Sequence, residues 1–576
     1  MRSDEIPSLG QVTLDVPGLG SITGLSLNNT TCQYLGIPYA SIPGRFRRSV
    51  PATAWADGQH DGTKLGPYCP QPPRDFYPVP SPARPWLDAP PTDEFACLNL
   101  NISVPCLPGD TPTHGLPVMV FLHGGAFSYA TANAPVYDGR LLASAAHGLG
   151  QPTVVVTVNY RLGVFGFLAG ADLQAGNAAH GDAGTGNDGV WDQVLALRWV
   201  QKHIGAFGGD PGRVTLFGQS AGGVSTHAHL LRGEPLFSSA ILQSGLLRTC
   251  GVLSVSEWQA LFDKMLAATG VSVERGGDGE GSVSVSSCQK VEALAAVPVD
   301  VLVAAMQSVF VIPVVTMPLC DDGVLVTGPM PTYDDYTQPF AAPAWCPRLM
   351  MGDAKNECII WNKSWENLAV ARMQPGQDLS TPDAALVVAK MREFLGEEKA
   401  ARVAALYGIT ADMSSQDVFW ALERMTTGGI FSLPIYFAEL TTPQEPPTTL
   451  YAYHFNVPSP YDNAWGGLGH HSHDNVLLWG VLRHTLPPAQ QAVSDSMVRA
   501  WVTFANGGAP WPAFSRDKPE WMVFGGDGSS LKGKTTAGTG RSYETWDALH
   551  AQGLVGDICR LSDELCLRTG DLVKGA

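Results

Sequence analysis

Apolar residues gather along this chain in short, unbroken runs rather than alternating with polar ones. The runs at 116–122, 153–158, 214–217, 239–242, 348–351 and 449–455 are rich in β-branched residues and bounded by Gly, Pro or Asn. An uninterrupted apolar strand belongs in a parallel sheet covered on both faces, because neither set of alternating side chains meets water. Between these runs, apolar positions recur with helical spacing at 189–203, 258–268, 382–406 and 489–506. Strands alternating with helices predict an α/β fold, a large, mostly parallel central sheet with helices on both faces. Two stretches read as excursions from that core. Residues 70–97 form a lid-like loop whose first part, with Phe76, Tyr77 and Trp86, is too proline-rich for a central strand. Residues 275–287 are rich in Gly and Ser and read as a flexible surface insertion.

Composition narrows the function classes. Apolar residues make up 45% of the chain and charged ones only 15%, so a large buried core is expected. A net charge of −17 argues against nucleic acid or an anionic membrane surface as partner. No apolar run reaches the roughly 18 residues that a transmembrane helix needs. The opening Met1-Arg2-Ser3-Asp4-Glu5-Ile6-Pro7 has two acids and no apolar run, so it does not read as a signal peptide, and a cytoplasmic location is expected. Eleven cysteines cannot all pair within the chain, and reduced thiols are the expectation in that setting.

The candidate chemistry lies at strand ends. The run Val214-Thr215-Leu216-Phe217 leads into Gly218-Gln219-Ser220-Ala221-Gly222, a strand, a Gly-x-Ser-x-Gly turn and then a helix. Glycines on either side permit a turn sharp enough to lift a serine hydroxyl above the sheet edge, the nucleophile elbow of an α/β-hydrolase. With 63 glycines in the chain the pattern alone is weak, and its context makes it specific. Upstream, the strand 117–122 runs into His123-Gly124-Gly125. Acyl transfer needs backbone N–H donors aimed at a developing oxyanion, and Gly124, Gly125 and Ala221 are placed to supply them. A serine hydroxyl also needs a base, and the base needs a carboxylate to orient it. The order Ser, acid, His points to the segment Gly469-His470-His471-Ser472-His473-Asp474 for the base. Three histidines so close could instead bind a metal, but no Cys or carboxylate spacing supports a metal site, and no cofactor is implied. The acid comes from Gly352-Asp353-Ala354-Lys355-Asn356-Glu357, where spacing alone does not choose between Asp353 and Glu357.

These residues make the chain similar to the type-B carboxylesterase/lipase family, which includes cholinesterases and fungal lipases. The resemblance runs over nearly the whole length. It begins at Gly36-Ile37-Pro38-Tyr39-Ala40 and Arg45-Phe46, and continues through Cys97-Leu98-Asn99-Leu100-Asn101 and His123-Gly124-Gly125. Asn159-Tyr160-Arg161-Leu162-Gly163, Asp192-Gln193 and Phe207-Gly208-Gly209-Asp210-Pro211 follow, and after the elbow come Gln243-Ser244-Gly245 and Trp501. The resemblance implies one α/β-hydrolase domain over 1–576 that hydrolyses small-molecule carboxylic esters. It implies Ser220 as nucleophile, Glu357 rather than Asp353 as acid, and His471 as base. It also implies a disulfide between Cys69 and Cys97 around the lid-like loop.

Three departures from the family pattern stand out. Cys358 follows the acid where relatives carry Gly. Gln219 occupies the elbow where many carry Glu, and that absent charge argues against choline esters. Trp86 lies near the family's choline-binding tryptophan but out of register with it. Alternatives within this chemistry are a transacylase or a lipase, and beyond it a cholinesterase or a non-catalytic cholinesterase-like binding module. A complete Ser220, Glu357 and His471 set argues against the last.

Overall fold

In the computed structural model the apolar runs are the central strands of one sheet. Residues 10–28, 31–72, 90–105, 114–271, 286–310, 317–340, 342–362, 383–443, 448–463 and 465–566 are described. Phe76, Tyr77, Trp86 and nearly all of 275–287 lie outside them. The main strands are β1 (Gly10–Val16), β2 (Gly20–Asn28), β3 (Thr31–Pro38), β4 (Asn99–Pro105), β5 (Leu116–Leu122) and β6 (Val154–Val158). They continue as β7 (Gly209–Gln219), β8 (Ser239–Gln243), β9 (Arg348–Ala354), β10 (Thr449–Phe455), β11 (Glu520–Gly525) and β12 (Gly528–Gly533). Their order in space is β1-β2-β3-β4-β6-β5-β7-β8-β9-β10-β11-β12, with the short strand Gln59–Asp61 beside β2. Pairing is parallel from β6 to β11 and antiparallel at both ends.

Side chains on successive strand residues point to opposite faces, so the sheet divides the core in two. Met119, Phe121, Phe217, Ile241 and Met350 pack on one face against Leu142 of α1 (Gly139–Gly148) and Trp501 of the helix Pro488–Ala505. Val118, Val120, Leu216, Leu242 and Met351 pack on the other against α2 (Asp188–His203) and α3 (Ala221–Arg232). Every residue of β5, β6 and β8 is buried, which is what their unbroken apolar sequences require. Edge strand β1 instead alternates exposed and half-buried positions, and it carries no such run.

Further along lie α4 (Ile359–Asn362), α5 (Ser415–Thr427), α6 (Leu433–Thr441), α7 (His473–Trp479), α8 (Pro488–Ala505) and α9 (Val555–Leu565). A five-residue π-helix, Gly428–Ser432, joins α5 to α6. One expectation needs correcting. The helical pattern at 382–406 is two helices, Ala384–Leu395 and Glu397–Tyr407, broken at Gly396, whose φ of +79° no right-handed helix accommodates.

Candidate active site

The elbow is built from steric necessity. At Ser220, φ is +58° and ψ −123°, a backbone state that costs a non-glycine residue on the order of 1–3 kcal/mol. A Cβ built at Gly222 would lie 1.9 Å from the Leu122 carbonyl oxygen, and one at Gly218 would lie 2.3 Å from the Gly222 carbonyl. Only glycines let the turn nest so tightly on the end of β5. The Ser220 N–H donates to the Gln243 carbonyl at 2.8 Å, pinning the turn to β8. Below it, the Gln243 side chain donates to Asp474 Oδ2 at 2.8 Å and accepts from Trp501 Nε1 at 3.2 Å. Burial pushes the Asp474 carboxyl up to about 6.

After β5 the chain makes a second strained turn. Gly125, Ala126 and Phe127 all have positive φ, at +108°, +53° and +58°. Three bonds fix it: Tyr160 Oη donates to the His123 carbonyl at 2.6 Å, Gly163 N–H to Phe127 O at 2.7 Å and Met317 N–H to Ala126 O at 2.9 Å. The turn brings backbone to Ser220, since a Cβ on Gly124 would lie 2.9 Å from Ser220 Cβ. Gly124 and Gly125 belong to no helix or strand and Ala221 opens α3. Among the described residues none of these three N–H groups donates to a protein acceptor.

The acid and the histidine meet from two other strand ends. Glu357 turns back so that Oε1 accepts from the Ala354 N–H at 2.6 Å, and Oε2 accepts from His471 Nδ1 at 2.5 Å. Both residues are buried, and Asn356 N–H donates to Gly469 O at 2.9 Å, tying one turn to the other. With Nδ1 donating to the carboxylate, Nε2 is left as an acceptor. In this structure Gln219 Nε2 donates to it at 3.1 Å, while Gln219 Oε1 accepts from Ser472 Oγ at 3.0 Å. Among the described residues Ser220 Oγ makes no hydrogen bond to His471; a serine–histidine bond tightens when substrate binds.

Asp353 serves a different network. Its carboxylate accepts from Arg541 Nε and Nη2 at 2.9 and 2.8 Å and from His454 Nδ1 at 2.5 Å, and His454 Nε2 meets Tyr543 Oη. Burial alone would raise this carboxyl, but Arg541 and His454 outweigh it and hold it well below the usual range. The neighbours of His471 are occupied elsewhere. His470 Nδ1 donates to the His471 carbonyl at 2.8 Å, and its ring lies 4.9 Å from that of His473. Burial lowers His470 to about 4 and holds His473 well below the usual imidazole range. Among the described residues no group of three or more His, Cys, Asp or Glu could hold a metal ion.

Cys69 and Cys97, for which the resemblance implies a disulfide, are both buried free thiols in this structure, and Leu162 N–H donates to Cys69 Sγ at 3.2 Å. Cys32 is disulfide-bonded, which departs from the expectation of reduced thiols throughout. Cys358 is buried and fits its turn: its N–H donates to Thr427 Oγ1 at 3.0 Å, and it packs in a cluster with Trp361 and Phe431.

A cavity of about 300 Å³, counting the space that opens to solvent, lies beside Ser220 and Ala221. Its other walls are Ala126, Phe127, Val224, Thr249, Cys250, Trp361 and Phe431, with no charged side chain among them. The last two rings stack at 5.7 Å, and Phe431 lies 5.0 Å from the His471 ring. The wall residues Phe431, Thr249 and Cys250 carry no mark in the sequence reading. The adjacent Gly428-Gly429 inside an apolar helical stretch was the available signal of close packing there.

Comparison with known proteins agrees with this geometry. The family model described as "Carboxylesterase family" matches residues 10–544. "Para-nitrobenzyl esterase" of Bacillus subtilis (strain 168) is 29% identical over 523 residues, covering 88% of this chain and 93% of that protein. "Lipase 3" of Yarrowia lipolytica is 32% identical over 362 residues, or 60% of this chain and 63% of the lipase. "Cholinesterase" of Mus musculus is 40% identical over 234 residues, 39% of this chain and 36% of that protein. A solved structure of "PNB esterase" superposes with a TM-score of 0.68 at 25% identity, covering 93% of this chain and 99% of the other. Motif, fold and likeness converge: the chain belongs to the carboxylesterase family, serine hydrolases that cleave carboxylic esters.

Proposed function

We propose that Ser220 is the nucleophile of this ester hydrolase, His471 its general base and acid, and Glu357 the acid that orients the imidazole. The observation that carries this reading is the buried 2.5 Å bond from His471 Nδ1 to Glu357, which leaves Nε2 as an acceptor next to the elbow. As Ser220 Oγ attacks the ester carbonyl its proton passes to Nε2, displacing the Gln219 donor. The carbonyl oxygen becomes an oxyanion facing the undirected N–H groups of Gly124, Gly125 and Ala221. Collapse of this intermediate breaks the bond to the alkoxy oxygen, which leaves as the alcohol with the proton from His471. Water repeats the cycle on the acyl-enzyme, giving its proton to His471 and releasing the acid.

The substrate class we propose is an uncharged small-molecule ester whose acyl group enters the cavity between Phe127 and the Trp361–Phe431 pair. An apolar wall favours an aliphatic or aromatic acyl group over a charged one, because a desolvated charge would meet no partner there. Hydrolysis of p-nitrophenyl esters from acetate to palmitate by wild type and Ser220→Ala tests both parts. Wild type should turn over with a preferred acyl length and Ser220→Ala should retain less than about one thousandth of the rate. Equal rates in the two proteins would remove Ser220 from the reaction.

A further inference from the structure

A buried carboxyl that the reaction does not use stands behind the cavity wall. Glu423, on α5, is 1% exposed. Its Oε2 accepts from Asn362 Nδ2 at 2.7 Å and its Oε1 from Thr427 Oγ1 at 3.0 Å. Asn362 is the last residue of α4, so the carboxyl holds the end of the short helix that carries Trp361. Thr427 passes the grip on. Its hydroxyl donates to Glu423 and accepts from the N–H of Cys358, the residue after Glu357. Thr427 is also the last residue before the π-helix, four positions before Phe431.

A single buried acceptor thus ties the turn after the proposed acid to the end of α4 and to the start of the π-helix, the two elements that carry the pocket-wall rings. Burial pushes its carboxyl up to about 7, Asn362 and Thr427 pull it down, and nearby negative charge on Glu357 adds to the rise. A buried carboxyl held at that expense is worth more as a geometric anchor than as a contribution to stability.

We infer that Glu423 is a positioning residue that sets the acyl specificity of the pocket, by holding Trp361 and Phe431 in their stacked arrangement beside Ser220. This inference rests on the proposed role of Ser220 and its neighbouring cavity. With the anchor weakened, the wall relaxes outward and the pocket admits longer acyl groups. Glu423→Gln keeps the shape and an oxygen for Asn362 but removes the second acceptor oxygen, so the Thr427 hydroxyl loses the group it donates to. Thr427→Val and Asn362→Ala cut the two branches separately.

The test compares kcat/KM for p-nitrophenyl octanoate and acetate in wild type and these three variants. Active sites are counted by labelling with a fluorophosphonate. The octanoate-to-acetate ratio should rise on the order of tenfold in Glu423→Gln, and in the same direction in the other two. Ratios within about twofold of wild type in all variants would overturn the inference, as would a fall in both rates that matches the loss of labelled sites. If Glu423→Gln does not fold, Thr427→Val and Asn362→Ala decide. A wild type that neither hydrolyses any ester nor takes the label would instead sink the reading of Ser220, and this inference with it.

Discussion

At the scale of single residues, the site turns on which carboxylate reaches which ring. Spacing could not separate Asp353 from Glu357, and family likeness chose between them. The physical reason lies far along the chain: Arg541 and His454 claim Asp353, and neither contact leaves a trace near Gly352. Similarly, nothing local distinguishes His471 from His470 and His473 except where Glu357 ends up. The elbow was legible because its constraint is local and steric. Gln219 was legible only as a missing charge. In the structure it donates to His471 Nε2, the nitrogen proposed to accept the Ser220 proton, which makes its neutrality consequential. Gln219→Glu would set a carboxylate where that nitrogen now meets a neutral amide. With His471 as the proposed base, kcat/KM of the variant should fall most at the acid end of its pH profile, where the added charge holds a proton on the ring. A profile between pH 5 and 9 that coincides with wild type would exclude electrostatic contact between positions 219 and 471.

Elements were readable where burial coincides with an unbroken apolar sequence. The central strands appear in the sequence within a few residues of their bounds, since both faces had to be apolar. At the amino-terminal edge β1 was missed because water reaches it, and the buried β3 and β4 because polar residues such as Gln33, Asn101 and Ser103 interrupt their apolar sequence. The π-helix was invisible for another reason: its extra residue per turn answers to tertiary packing, not to local preference. Gly429 shows the packing involved, since a Cβ there would sit 2.2 Å from Ser562 Oγ and 2.8 Å from the Ile558 carbonyl of α9. Gly429→Ala should therefore lower stability by roughly 1–3 kcal/mol through overpacking. It should also displace Phe431 and weaken turnover of short esters beyond the loss in folded protein. Thermal melting alongside active-site labelling separates the two effects, and an unchanged melting point would contradict the close contact.

Over the whole molecule, burial sets how stability responds to pH. His227, on the elbow helix, is held to about 3 by burial, and its Nδ1 accepts from the Leu247 N–H at 3.0 Å. A histidine whose folded pKa lies below its unfolded value contributes fully above about 6.5, and loses that contribution as pH falls toward the folded value. His123, His229, His470 and His473 act in the same direction. Asp188, Asp474 and Glu423, raised by burial to about 6, 6 and 7, act oppositely and weaken the fold as pH climbs through that range. His227→Gln, which keeps an acceptor for Leu247, should recover on the order of 2–3 kcal/mol of what is lost between pH 6.5 and 4. Denaturant midpoints at both pH values check this, and an equal fall in both proteins would refute it. The brace of α9 against the π-helix reaches furthest. Ser562 does not line the cavity beside Ser220, yet its side chain limits where Phe431 can stand. Diet can therefore drift in this lineage through substitutions at the far end of the chain, and a survey of residues touching the substrate would record such an enzyme as unchanged.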